Sequence, residues 1–394
     1  MSYPMIEIGD LMLKRNGSVD PSKFPDETFE LHSIPAFDKG TPDIVKGSEI
    51  GSSKQLVQEN DVMISKIVPH IRRASVVCPK GDYRQIASGE WIVFRSDKIY
   101  PDYLKHVLIS DTFNKQFMAT VSGVGGSLLR ARPAFVAKIK IALPPLAEQR
   151  RIASILDQAD VLRQKRQQAI EKLDQLLQAT FIDMFGDPKI NPYNFNIEKL
   201  SKFYIDSKNG TKCGPFGSAL KRHEYVENGI PVWSMDVITL SGEFIDKPSL
   251  WITNEKFKEL ESYSVKEGDV IISRAGTVGK MGVVHSQYEK SLISTNLIRL
   301  RFGNNLLPEF FVALMTYCKH RLSRLQTGAD GAFTHMNTGI LDNLEFPYPP
   351  IEKQKQFVDF LHKVNINKQI LLKSGKRIND LFSSLQNQVF NGTL

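Results

Sequence analysis

Cysteine is scarce: three residues in 394, at Cys78, Cys213 and Cys318. They are far apart, with no CxxC pair and no histidine at metal-ligand spacing. That excludes a disulfide framework and a zinc ribbon, and the thiols read as buried or incidental. Long apolar runs are missing too, so no stretch reaches the length of a membrane span. The opening MSYPMIEIGDLMLKRNG has no apolar signal core, and a soluble, cytoplasmic chain is expected. Acidic residues fall short of basic ones, 43 against 51, a formal net charge of +8. A mildly basic chain of pI about 9.1 suits a polyanionic partner without specifying one.

Catalytic signatures are also lacking. AGTVGK (275–280) resembles a phosphate loop, but Arg274 stands where its first glycine belongs and Met281 where Ser or Thr is needed. GPFGS (214–218) has no third glycine for a dinucleotide. NPYNF (191–195) lacks the second proline of the NPPY/F loop of amino-methyltransferases. There is no HExxH, no serine elbow and no nuclease core. The eight histidines are dispersed, and His223, His285 and His335 read as surface or satisfied residues.

What is present is a helix. Residues 144–186, PPLAEQRRIASILDQADVLRQKRQQAIEKLDQLLQATFIDMFG, open on two prolines, carry Glu148 in the first turn and meet no Pro or Gly before Gly186-Asp187-Pro188. Prolines suit the first turn, an acid suits the positive end of the dipole, and Gly-Asp-Pro is a stop. Ile152, Ile155, Ala159, Leu162, Ala169, Leu173, Leu176 and Thr180 fall at alternating spacings of three and four, with Arg166 the polar exception. This predicts a coiled-coil seam on a rod of roughly 60 Å.

The element recurs. Residues 349–392, PPIEKQKQFVDFLHKVNINKQILLKSGKRINDLFSSLQNQVFNG, place Gln354 on Gln149. The same shift carries the seam onto Phe357, Phe360, Val364, Asn367, Leu371, Ser374, Ile378, Leu381 and Leu385. Upstream, SGVGGSLLRARPAFVAKIKIALPP from Ser122 aligns with TGADGAFTHMNTGILDNLEFPYPP from Thr327. ENDVMISKIVPHIRRASVV from Glu59 matches EGDVIISRAGTVGKMGVV from Glu267, Asp61 falling on Asp269. A period this long is a duplicated domain rather than a solenoid. The expected divisions are a first globular domain over 1–143, a long helix over 144–186, a second domain over 187–348 and a second long helix over 349–394.

Each globular part reads as mixed α and β. In the first, strands are expected over 30–37, 61–66, 73–78, 90–95 and 137–143, and one helix over 100–120, with a loop over 123–132. In the second, strands are expected over 231–235, 269–273, 282–285 and 294–301 and helices over 254–260 and 308–325, with a loop over 326–337.

Basic loop tips recur at equivalent places. The first half offers Lys66, His70, Arg72 and Arg73, then Arg130 and Arg132. The second offers Lys221, Arg222 and His223, then Arg274, Thr277 and Lys280, then His335 and Asn337. Such side chains suit phosphate and base-edge contact. Solubilising surface charge is the plain alternative for any one of them.

PPLAEQRRIASILD with its copy PPIEKQKQFVDFL, the paired NDV/GDV hairpins and CGPFGSALKRHEY at 213–225 resemble the specificity subunit of Type I restriction-modification enzymes. The resemblance spans essentially the whole chain. One departure is Lys353 at the position equivalent to Glu148, with the acid moved to Glu352. The resemblance implies an α+β fold: two similar mixed α/β target-recognition domains separated by two long helices in an antiparallel coiled coil. Each domain would read one half of a bipartite double-stranded DNA sequence, and the helices would set the gap and dock two methyltransferase subunits. Such a chain binds no cofactor and catalyses nothing itself. S-adenosylmethionine belongs to the modification subunits, ATP and Mg²⁺ to the restriction subunits. The alternatives are a non-sequence-specific nucleic-acid-binding coiled-coil scaffold and a self-contained DNA enzyme.

Overall fold

In each half, the strand after the repeated Asn/Gly-Asp-Val turn becomes the centre of a sheet. Val62–Ser65 and Val270–Ser273 are wholly buried, apolar runs of the kind that occupy a sheet interior. Val62–Ser65 pairs antiparallel with Ala74–Val76 on one side and Trp91–Phe94 on the other. Val270–Ser273 repeats this with Met281–Val283 and Leu297–Leu300. The computed structural model describes residues 3–13, 17–123, 129–216, 219–239, 241–274, 278–318 and 336–390, the last four by backbone only. The expected loop tips at 124–128 and 326–335, the end of the expected helix over 308–325, Thr277 and His335 lie outside them.

The chain forms two compact units: residues 1–168 with 371–394, and residues 169–370. Each unit holds one globular domain and one half of each long helix. The first unit adds a five-stranded sheet in the order Ser18–Val19, Lys54–Leu56, Arg84–Ala87, Thr28–His32, Asp43–Lys46. The second adds a three-stranded sheet in the order Leu250–Ile252, Ile230–Trp233, Leu292–Ile293. A short antiparallel ribbon leads into each long helix: Met5–Glu7 with Lys140–Ala142, and Asn196–Lys199 with Glu345–Tyr348.

Two expected elements differ. The strand over 30–37 stops at His32, and a helix Ile34–Lys39 follows. Ser33 caps it, its hydroxyl accepting from Ala36 N at 3.0 Å, and Pro35 suits the first turn. The helix over 100–120 is two, Pro101–Ile109 and Asp111–Met118. Ser110 between them has extended backbone, and its hydroxyl accepts from Phe113 N at 3.3 Å, starting the second.

The long helices run Leu146–Phe185 and Ile351–Phe390, 40 residues each. Gly186 ends the first at φ 74°, donating its N–H to Ile182 O at 2.8 Å. That left-handed cap disfavours any side chain. In the first unit, Arg163 meets Asn379 and Arg166 meets Ser374. In the second, Asp174 meets Lys368 and Phe181 meets Phe357. Within each unit, the partner's number falls as the helix's own number rises, so the two run antiparallel.

The seam is not the expected one. Ile152, Ala159 and Leu173, and Phe357, Val364, Leu371 and Ile378, do face inward, and Phe360 is half-buried. Ile155, Leu162, Leu176 and Leu381 are exposed. Leu162 is 50% accessible where Leu156 is 1%, and Leu381 is 60% where Phe382 is 7%. The second seam position therefore lies four residues after the first, not three. It is filled by Leu156, Arg163, Ile170 and Leu177 in one helix and Leu361, Lys368, Gly375 and Phe382 in the other. Apolar residues flank the shared line on both sides, so periodicity alone allows either register. The globular cores decide: Ile152, Ala153, Leu156 and Phe382 join the first domain's core, and Phe181, Phe185, Phe357 and Val358 join the second's.

Candidate nucleic-acid interface

Two repeated devices fix the frame of each domain. Asp61 in the turn before Val62–Ser65 receives both arms of Arg95, each at 2.5 Å, and accepts from Gln58 N at 2.9 Å. Asp269 receives Arg301 at 2.8 and 2.7 Å and accepts from Lys266 N at 2.7 Å. Bidentate geometry of this kind fixes orientation as well as charge.

The second device is a buried glutamine at each helix entrance. Gln149 Oε1 accepts from Tyr100 N at 2.7 Å, and its Nε2 donates to Pro144 O at 2.8 Å and Lys98 O at 3.0 Å. Gln354 repeats all three contacts with Leu307 N, Pro349 O and Asn305 O. Neither set of partners is visible in the sequence, although the recurrence of Pro-Pro-x-x-x-Gln marks the glutamine itself.

In the first domain the loop after Ser65 lies beside the segment 129–132: Ala131 N donates to Lys66 O at 2.8 Å and Val68 N to Leu129 O at 3.1 Å. This gathers Lys66 and Arg130. Lys66 Nζ donates to Gly89 O at 2.6 Å, and Arg130 pairs with Glu90 at 3.1 Å. His70 is exposed. Arg132 lies over the Phe135 ring at 4.1 Å, a cation–π arrangement.

Arg72 and Arg73 differ from the free loop tips the sequence suggests. Arg72 contacts Asp111 and donates to Ile109 O at 3.2 Å. Arg73 grips Asp38 with two bonds, 2.7 and 2.8 Å, and its side chain is mostly buried. The bonds from Arg73 hold the Asp38 carboxyl below its ordinary range. Both arginines anchor their loop to their own domain.

In the second domain Lys221, Arg222 and His223 are exposed on a tight turn. Glu224 braces it, accepting from Lys221 N at 2.5 Å and pairing with Lys256 at 2.7 Å. Arg274 lies over the ring of Phe216 at 5.3 Å, and that ring is 62% exposed. Gly214 lets this loop pass the neighbouring strand, for a Cβ there would sit 1.9 Å from Ser294 O. Lys280 is half-buried, its N–H on Ser273 Oγ at 2.9 Å. Asn337 caps the helix Thr338–Asp342, its Oδ1 accepting from Ile340 N at 2.9 Å. Its carbonyl oxygen is thus committed locally. The pairing of Phe216 with Arg274 is the feature sequence reasoning missed, since the two lie far apart in the chain.

The result is a set of guanidinium and ammonium groups on braced loops, with the exposed rings of Phe135 and Phe216 among them. Such groups contact phosphates and stack on or hydrogen-bond to bases. No helix among the described residues is long and apolar enough to cross a membrane.

The family model for the Type I restriction modification DNA specificity domain matches residues 3–172 and again 217–381, once in each half. The MjaVIII specificity subunit of a type I restriction enzyme from Methanocaldococcus jannaschii is 23% identical over 275 residues, covering 65% of this chain and 62% of that protein. The EcoKI specificity subunit from Escherichia coli K12 is 22% identical over 333 residues, covering 77% and 68%. The aligned stretch thus spans less than two thirds of the M. jannaschii relative. Among solved structures, a chain described under complex assembly and conformational transition of the type I R-M system superposes with TM-score 0.61 at 21% identity, covering 100% of this chain and 98% of that one. The type I S subunit from M. genitalium gives 0.57 at 12%, covering 98% and 96%. These two share the fold. The family model covers most of the chain in two copies, and the chain belongs to the Type I restriction-modification DNA specificity family.

Proposed function

We propose that this chain is the sequence-reading subunit of a Type I restriction-modification complex, each globular domain reading one half of a bipartite double-stranded DNA target. The observation that carries this is the duplication of the domain frame. The same carboxylate–arginine clamp and the same glutamine lock recur in both units, so each presents its basic loops from an equivalent frame. A repeated reader suits a split target as a dimeric repressor suits two half-sites.

Both long helices contribute one half to each unit, and their length is proposed to set the gap between half-sites. Exposed Ile155, Val161 and Leu162 on the first helix and Ile366 and Ile370 on the second offer apolar surface for modification subunits. The methyl donor S-adenosylmethionine would be held by those subunits, ATP and Mg²⁺ by restriction subunits, and this chain would supply recognition alone. For base and phosphate contact we propose Lys66, His70, Arg130 and Arg132 in one domain and Lys221, Arg222, His223, Arg274, Lys280 and Phe216 in the other.

The test maps modified bases across the genome of a host with and without this chain. Loss of one split motif, two short words around a fixed gap, is expected. If no motif is lost, and the purified chain binds DNA with steep salt dependence but no sequence preference, a general nucleic-acid scaffold replaces this reading.

A further inference from the structure

Glu30 and His32 sit two residues apart on the strand Thr28–His32, so both side chains leave the same face of the five-stranded sheet. Cys78 arrives from the other sheet, just beyond Ala74–Val76. His32 Nε2 lies 3.1 Å from Glu30 Oε1, and Cys78 Sγ lies 3.0 Å from the same oxygen. The nitrogen, the sulfur and the carboxylate oxygen all fall within 4.8 Å of one another. Ligand bonds of about 2.0–2.3 Å to a tetrahedral ion place neighbouring donor atoms roughly 3.3–3.7 Å apart. A small side-chain adjustment closes the trio around an ion.

The surroundings are those of a metal site. Gln85, Glu30's neighbour in the strand ladder, donates to Glu30 Oε1 at 3.1 Å and to Cys78 O at 3.0 Å, orienting two of the three groups as outer-sphere partners do. Glu30 and His32 are buried, while Cys78 reaches solvent. A cavity of about 370 Å³ lined by His32, Phe37, Met63, Cys78 and Trp91 opens beside them, giving an entry path and room for a fourth, solvent ligand. Thiolate, imidazole and carboxylate together favour Zn²⁺ over Mg²⁺ or Ca²⁺.

We propose that Glu30, His32 and Cys78 form a binding site for a borderline-soft divalent ion such as Zn²⁺. Binding replaces the thiol proton, released to solvent, with a metal–sulfur bond, and needs the neutral His32 ring protonated at Nδ1 so that Nε2 can coordinate. Asp38 follows His32 in the chain and Arg73 precedes Ala74, so the ion would brace the two segments that the Arg73–Asp38 pair already joins. These frame the loop carrying Lys66 and His70.

The experiment strips the full chain with a chelator and titrates it with Co²⁺, then Zn²⁺. One Co²⁺ per chain is expected, with thiolate-to-metal charge-transfer absorption and intense tetrahedral ligand-field bands that Zn²⁺ displaces. Cys78→Ser should abolish the charge-transfer band while Cys213→Ser keeps it, and Zn²⁺ should raise the unfolding temperature of the parent chain but not of Cys78→Ser. Absence of the band from the parent chain overturns the proposal without recourse to any variant. Its survival in Cys78→Ser does so too.

Discussion

Arg163 and Lys368 make the same contact in the two units. Arg163 Nε donates to Asn379 Oδ1 at 2.8 Å, and Lys368 Nζ donates to Asp174 Oδ1 at 2.9 Å. The shift that carries Gln149 onto Gln354 carries Arg163 onto Lys368 and Asp174 onto Asn379. Polar contacts in an apolar seam favour one register over its neighbours. Lys368 is largely covered while the Asp174 side chain is 53% exposed, so the pair is screened. Asp174→Ala should cost about 1 kcal/mol, and replacing Lys368 by Met should cost less, because the carboxylate it leaves unpaired, Asp174, is exposed and solvated by water, whereas Asp174→Ala leaves a largely covered ammonium. Denaturant unfolding of both variants checks the order.

Gln149 and Gln354 each join the start of a long helix to the backbone of the domain before it. Gln149→Ala strands a buried amide and two carbonyls, and should destabilise the first unit by about 3 kcal/mol. Gln354→Ala should do the same to the second. Hydrogen exchange should show each loss confined to its own unit.

On the proposed function, the loops should separate into readers and anchors. An exposed ring among the loops can make an apolar base-edge contact in a duplex groove, so Phe216→Ala should weaken or relax one half-site only. Lys221→Ala should weaken binding to all sequences and lower the salt slope by about 1. Arg73→Ala should leave the salt slope unchanged and lower the melting temperature, since Arg73 serves Asp38. Binding isotherms across salt concentrations, with each half-site scrambled in turn, distinguish the three.

Deleting one heptad from each long helix at equivalent places shortens both by about 10 Å and preserves the seam. The gap between half-sites should shrink by about three base pairs, at 3.4 Å each, with the half-site words unchanged. Modified-base mapping reads both, and altered words with an unchanged gap would sink the spacer role.

His106 is buried with Nε2 2.8 Å from Asp157 Oδ1, and its ring meets that of Phe382 edge-on. Burial pushes its pKa below the ordinary 6.5, although Asp157 opposes the shift. The unfolded chain therefore takes up this proton at a higher pH than the folded one. The stability from neutral His106 is complete above pH 6.5 and is lost as pH falls from there through the lower folded value. His106→Gln should flatten that part of the melting-temperature profile.

Much of this was legible in the sequence because it is local or repeated. Two prolines, an acid in the first turn and a closing glycine delimit the first long helix within two residues of where it lies. The Asp61 and Asp269 turns announce the central strands. The breaks at Ser33 and Ser110 were misread because a single capping hydroxyl outweighs the apolar pattern around it.

The chain by itself determined the duplication, the two long helices and the mixed α and β character of each half, since repeats and periodicities need no distant partner. Tertiary structure alone decided which side of each helix is buried, because apolar residues flank the seam on both sides and only the domain cores choose between them. It also turned Arg73 toward Asp38, set Arg274 over Phe216 and gathered Glu30, His32 and Cys78. Asp38 and Arg73, Phe216 and Arg274, and Cys78 and the Glu30–His32 pair lie tens of residues apart in the chain, and only the folding of the sheets brings them within reach.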